Sequence, residues 1–414
     1  MPQTLRRQFE DQISGFDPEQ PEYATRLVES VLAGAQDAGA SDIHLVPTET
    51  ELLMSWRIDG VLQTVAALPR KLAANVVSRL KVLADLLTYR TDVPQEGRIR
   101  QLSDGVERRV STFPTLYGEK AVVRLFVGSK RFHVLDDLQL PQHVTTAVRQ
   151  LLLESGGIVL LTGPAGSGKT TTAYACLREL ARMSPSPRSL VSLEDPVEAV
   201  VAGVSQSQIN SAAGFDYASG LRSLMRQDPE VMLVGEIRDR VVAEMVFQAS
   251  LTGHLVLTTF HAGSAAGAIS RLADMGNEPY LLRSCLLAIV CQHLCRRLCK
   301  CSRIDEDPDA RLGLPVRSVR RPVGCDQCRG TGYRGRTVIA EVLLPQGASA
   351  GRAVLSRSDA AEIERRAVQA GMRTRWQHAC ELIEAGETDP AEVRRVLGFG
   401  GQISEDPDLL SNAN

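Results

Sequence analysis

Eight consecutive residues carry the most chemistry in this chain: Gly163, Pro164, Ala165, Gly166, Ser167, Gly168, Lys169 and Thr170, with Thr171 next. They follow the apolar run Ile158-Val159-Leu160-Leu161-Thr162 and precede a helical pattern through Ala173 and Leu177. The glycines permit positive φ and hence a concave loop whose backbone N–H groups point inward, a cradle for anionic oxygens. That suits a nucleoside triphosphate, with Lys169 reaching the β- and γ-phosphates and the Thr170 hydroxyl ligating Mg²⁺. The competing reading, a Gly/Ser-rich turn with a chance lysine, is disfavoured by the strand-loop-helix context.

Carboxylates stand where such a loop needs them. A strand over 189–193 ends in Glu194-Asp195-Pro196-Val197-Glu198, and a second over 231–234 runs into Gly235-Glu236-Ile237-Arg238-Asp239. Open α/β sheets place ligand chemistry at the carboxyl ends of their strands. Glu236 is positioned to orient or deprotonate an attacking water. Gly235 sits where many phosphate-loop motors carry an aspartate, so part of the metal's outer shell falls to Glu194. His254 and His261 flank a third strand, 255–259, either as sensors of the γ-phosphate or as structural residues. Arg98, Arg109 and Arg124 lie further upstream. A guanidinium beside the γ-phosphate speeds phosphoryl transfer by orders of magnitude, but on spacing alone these three read as a solvated strand face.

The elements that must position these groups fill a 414-residue chain, long enough for two or three domains. Apolar residues make up 43%, charged residues 23%, and the net charge is −2, which gives no global reason to expect nucleic acid or an anionic membrane as partner. The first twenty residues lack the apolar core of a secretory signal, and no stretch approaches the roughly 20 apolar residues of a membrane span; 281–294 is interrupted by Arg283, Ser284, Gln292 and His293. A cytoplasmic location is expected. Residues 1–21 and 401–414 read as a disordered leader and tail, 22–135 as a small mixed α/β domain containing His44, and 136–294 as a mostly parallel α/β core. Six of nine cysteines (Cys291, Cys295, Cys299, Cys301, Cys325 and Cys328) crowd one region, which in a reducing compartment favours metal or redox chemistry.

Together these boxes resemble, in order and spacing, the secretion ATPases of the type II secretion and type IV pilus superfamily. The resemblance rests on the loop at Gly163, the acidic box at Glu194, the Gly235-Glu236-Ile237-Arg238-Asp239 strand end, and Thr252-Gly253-His254-Leu255-Val256-Leu257-Thr258-Thr259-Phe260-His261. Ala40-Ser41-Asp42-Ile43-His44, Arg57-Ile58-Asp59-Gly60 and Pro94-Gln95-Glu96-Gly97-Arg98 extend it upstream. It implies a RecA-like phosphate-loop core, a preceding PAS-like α+β domain, and a homo-hexameric ring that hydrolyses ATP with Mg²⁺ at the inner membrane. Glu236 becomes the catalytic carboxylate and Arg98 and Arg109 become arginine fingers. The implied partners are an inner-membrane platform protein and a cytoplasmic recruitment protein, not nucleic acid; the chain would be peripheral to the membrane through them. Phe260 and Ala262-Gly263 depart from the usual Leu and Thr-Asn around the second histidine. Assembly-type members carry two Cys-x-x-Cys halves on one structural Zn²⁺. Here Cys325 and Cys328 fit, while Cys299 and Cys301 are one residue closer, with Cys295 a substitute. The cysteine segment, 295–345, would form a zinc knuckle and 346–400 a helical bundle. An ATP-gated scaffold with little turnover, a retraction motor and a nucleic-acid translocase are the alternatives.

Overall fold

The computed structural model describes residues 3–99, 107–126, 134–183 and 188–399. The chain divides into two compact units. The first comprises Met1–Gly128, Arg296–Ile304 and Arg321–Arg336; the second comprises Ser129–Cys295, Asp305–Arg320 and Thr337–Asn414.

In the first unit, helices α1 (Gln3–Ser14) and α2 (Tyr23–Asp37) precede strands β1 (Ala40–Pro47), β2 (Glu51–Ile58) and β3 (Val61–Pro69). Helix α3 (Ala73–Leu83) leads to β4 (Gln95–Ile99), β5 (Glu107–Thr115) and β6 (Gly118–Phe126). The strands form one sheet in the order β3-β2-β1-β6-β5-β4, with antiparallel neighbours throughout. Alternation assigns the faces: Ile43 and Leu45 of β1 and Val123 and Leu125 of β6 point into a core shared with Leu27, Val31, Val76 and Leu80 of the helices. Asp42 and Arg124, one residue out of phase, lie on the other face.

The expected irregular leader is instead helical over α1. Leu5, Phe9 and Ile13 recur at four-residue spacing and are buried, with the Phe9 ring 4.9 Å from Trp56. A short polar helix is marginal by itself, so tertiary contact decides its state. The expected tail, 401–414, and most of the stretch joining the two domains, 127–133, lie outside the described residues.

The second unit opens with α4 (Gln142–Leu151) and continues with β7 (Gly157–Thr162), α5 (Lys169–Arg182), β8 (Leu190–Glu194) and β9 (Ser205–Gln208). Next come α6 (Tyr217–Leu224), β10 (Val231–Val234), α7 (Arg240–Leu251), β11 (Leu255–Phe260), α8 (Ala265–Asp274), α9 (Pro279–Cys285) and β12 (Leu286–Leu298). Two short strands, β13 (Arg303–Asp305) and β14 (Val319–Arg321), precede β15 (Tyr333–Leu343) and helices α10 (Ala348–Leu355), α11 (Ala360–Gln369), α12 (Arg375–Glu384) and α13 (Pro390–Leu397). The sheet order is β15-β12-β7-β11-β10-β8-β9, parallel from β12 to β9. All six residues of β7 are buried because helices cover both faces. Ile158 and Leu160 pack with Val246 and Ile269 of α7 and α8, while Val159 and Leu161 pack with Val148 and Leu177 of α4 and α5.

Two sequence-based boundaries move. The cysteine segment is no separate domain, since Arg296–Ile304 and Arg321–Arg336 belong to the first unit while Asp305–Arg320 and the stretch from Thr337 belong to the second. The C-terminal helices join the second unit: Val354, Ile363 and Ala367 complete one of its cores.

Candidate functional site

β7 delivers the chain into the glycine loop, and α5 begins where the loop ends. Gly163, Gly166 and Gly168 take φ of 142°, 74° and 90°, the left-handed region that other residues avoid. The unpaired N–H groups of the first turn of α5 therefore open onto the loop. Lys169 is buried, and its Nζ donates to the carbonyls of Gly163 and Pro164, both at 2.9 Å. Burial holds its ammonium below the usual value, opposed by the charge of Glu236. The Ser167 hydroxyl is buried with no hydrogen-bond partner. A cradled cation, an orphan hydroxyl and open helix N–H groups fit a phosphate chain, with Thr170 at the position of a magnesium ligand.

One supporting residue escaped the sequence reading. Gln292 of β12 is buried, donates from Nε2 to the Ser167 carbonyl at 2.8 Å and accepts from Thr172 Oγ1 at 2.9 Å. It pins the loop to the first turn of α5 from below. Its signal was present as a polar residue interrupting an apolar run, but only the β12–β7 pairing turns that interruption toward the loop.

The two carboxylates differ in kind. Glu194, at the end of β8, is 3% exposed and saturated: Tyr174 Oη, Ser192 Oγ and Gln206 Nε2 donate to it at 2.5, 2.6 and 3.2 Å. Such a group positions its neighbours. Glu236, just beyond β10, is partly exposed; its Oε1 lies 3.0 Å from His261 Nε2 and its Oε2 accepts from Arg238 at 3.2 Å. Arg238 also holds Asp195 at 3.0 Å, joining the two strand ends. His261 lies just beyond β11 and also faces the Gly163 carbonyl. Burial first, and the Lys169 charge second, hold its imidazole below the ordinary value. Loop, Glu236 and His261 thus meet at the carboxyl ends of β7, β10 and β11.

His254 does not join them. β11 pairs with β7 so that Leu255 is level with Gly157 and Phe260 with Thr162. His254 therefore sits at the far end of the sheet, about 20 Å of strand rise away. Its Nδ1 lies 2.9 Å from the Ala249 carbonyl and 3.0 Å from Thr252 Oγ1, a local tie at the end of α7.

In the first unit, Arg98, Arg109 and Arg124 are mutually opposite on β4, β5 and β6, so they share one face. The row continues to Asp42 on β1, which accepts from Arg124 Nε at 3.1 Å. The same unit holds the four cysteines. The Sγ atoms of Cys299, Cys301, Cys325 and Cys328 all lie within 4.8 Å of one another, with separations of 3.8 Å for Cys299–Cys325, 3.9 Å for Cys301–Cys328 and 3.8 Å for Cys325–Cys328. Tetrahedral zinc at ~2.3 Å from each sulfur requires S–S separations of about 3.8 Å. Burial opposes ionisation of Cys328, yet the Cys325 and Gly332 N–H groups aimed at its sulfur bring the thiol down to about 7. The donor set fits zinc. Cys295 stands outside it, facing the Thr337 carbonyl, because the turn at Cys299, closed by Ser302 N–H to Cys299 O, brings Cys301 round within one residue.

The glycine loop between β7 and α5, with a carboxylate two strands away, defines an α/β protein of the phosphate-loop class. The type II/IV secretion system protein family matches residues 18–395, and the chain belongs to that family. It is 41% identical over 401 residues to the type II secretion system protein E of Pectobacterium carotovorum subsp. carotovorum, covering 95% of this chain and 79% of the relative. It is 43% identical over 328 residues to the type II secretion system ATPase E of Vibrio cholerae, covering 77% and 65%. Among solved structures, the Legionella pneumophila ATPase DotB superposes with a TM-score of 0.65 at 19% identity, covering 92% of this chain and 97% of that one. The pilus retraction motor PilT with bound ADP gives 0.60 at 22%, covering 91% and 97%. At those identities the structures speak for the fold.

Proposed function

We propose that this chain is an ATPase that works as a homo-hexameric ring and powers pseudopilus or type IV pilus assembly, and so type II secretion-like protein export. The single observation that carries the reading is the His261–Glu236 contact at 3.0 Å beside the lysine-bearing loop. In this reading the second unit is a RecA-like core. The strand order β2-β1-β6-β5-β4 supports a PAS-like first unit with β3 as an added edge.

The loop N–H groups and Lys169 bind the β- and γ-phosphates, and Thr170 would hold magnesium, which would supply charge neutralisation of the triphosphate. Glu236 takes the proton of the attacking water, and His261 and Arg238 fix the direction of its carboxylate. Glu194 supports the outer shell of the metal through its own hydrogen-bonded neighbours. Arg98 and Arg109 are the arginine fingers that meet charge building on the γ-phosphate. The ring acts at the cytoplasmic face of the inner membrane through a platform protein and a recruitment protein. Among the described residues no helix is long and apolar enough to cross a membrane.

Turnover by the purified chain is the test. Lys169→Ala should abolish nucleotide binding. Glu236→Gln should bind nucleotide yet lose about 10²–10⁴-fold in turnover, the range for a removed general base. Full turnover by the Glu236→Gln protein overturns the mechanism, and binding without turnover by the native protein indicates a nucleotide-gated scaffold instead.

A further inference from the structure

Tyr217 is the first residue of α6 and is 9% exposed. Its Oη is shielded from solvent and has no hydrogen-bond partner. A phenol buried without a partner costs stability that phenylalanine would not, so the hydroxyl calls for a ligand the protein itself does not supply. Its surroundings indicate which. Burial raises the phenol well above its ordinary range, so it stays a neutral donor, and Arg238, Asp195, Glu236 and Glu194 all act on it electrostatically. These are the groups at the carboxyl ends of β8 and β10.

Gly235 supplies an independent observation. It occupies the position where many phosphate-loop motors carry an aspartate, and a Cβ built on it would lie 2.8 Å from Tyr217 Oη. Its next nearest contacts, Glu194 Cα and the Leu193 carbonyl oxygen, are at 3.4 Å, ordinary spacing. The tyrosine hydroxyl therefore fills the space that a side chain at 235 would take.

We propose that Tyr217 is a positioning residue for hydrolysis, its hydroxyl holding a water of the magnesium–triphosphate complex in place of the carboxylate that Gly235 lacks. The inference rests on the ATPase reading above. It makes the bare glycine and the buried phenol one device: the side chain at 235 is absent because the polar atom arrives from α6.

The test uses the purified full chain, with ATP turnover, Mg²⁺ titration of fluorescent ATP-analogue binding, and thermal unfolding as readouts. If the native protein fails to hydrolyse ATP, the ATPase reading falls first and is recognised as such. Given native turnover, Tyr217→Phe should raise the Mg²⁺ concentration for half-maximal binding severalfold and lower turnover about tenfold, one hydrogen bond's worth. It should melt no lower than the native chain, since the ring is kept and the orphan hydroxyl removed. An unmoved Mg²⁺ half-saturation overturns the proposal whatever turnover does. Gly235→Ala should melt lower than native, and adding Tyr217→Phe should restore it. A Gly235→Ala protein that melts like the native chain would place the hydroxyl elsewhere and also overturn it.

Discussion

Glu236 is gripped from two sides, by His261 at one oxygen and Arg238 at the other, and the roles of the two histidines follow from that grip. With its imidazole held below the ordinary value, His261 is neutral near pH 7 and packs its Nε2 3.0 Å from the carboxylate. His261→Ala should therefore lower turnover about tenfold, the worth of one orienting polar contact, in a steady-state ATPase assay. His254→Ala should leave turnover within about twofold and cost stability by ~1 kcal/mol through the lost local tie, read by denaturant unfolding. Equal losses from both substitutions would contradict the placement of His254. Residue types and spacing marked Lys169, Glu236 and His261, because Lys169 closes a glycine loop at a helix start and the other two follow directly on recognisable strands. They could not mark Gln292, whose meaning depends on which strand lies beside the loop.

At the scale of elements, α12 is tied to β15 through His378, whose Nδ1 accepts from the Ala340 N–H at 3.1 Å. Burial, and then the charge of His143, bring this imidazole down to about 4. The unfolded chain protonates it near 6.5 and the folded chain does not. Its stabilising contribution is thus fully present above about pH 6.5 and is lost as pH falls from there through about 4. The shift corresponds to at most about 3 kcal/mol. Comparing unfolding midpoints of the native chain and His378→Gln at pH 7.5 and 4.5 should show the gap between them shrinking in acid. A pH-independent gap would show that His378 is not held neutral by the fold. The elements themselves were largely legible. The expected strand over 231–234 is β10, and that over 255–259 is β11 with one residue added. α1 was not, because its apolar positions are too sparse to declare a helix before Trp56 is known to lie against them.

At the scale of the molecule, the cysteines draw distant sequence together. Arg296–Ile304 and Arg321–Arg336 belong to the first unit, and within it Gly335 N–H donates to Asp59 Oδ2 at 2.9 Å across 276 positions of chain. The thiolate geometry predicts about one zinc per chain by elemental analysis, lost in Cys325→Ser. Removing the metal with a chelator should lower the thermal midpoint, because the binding free energy that ties the four sulfurs together is folding free energy. Retention of the native midpoint after complete zinc loss would relegate the cluster to free thiols. The sequence alone determined the phosphate loop, the strand that carries Glu236 and the family, because those features are runs of adjacent residues with a local conformational cause. Tertiary structure alone decided that His254 stands apart, that Gln292 braces the loop, that the Tyr217 hydroxyl meets Gly235, and that four sulfurs converge. These are juxtapositions of residues far apart in the chain, set by strand order and register, and no local pattern encodes them.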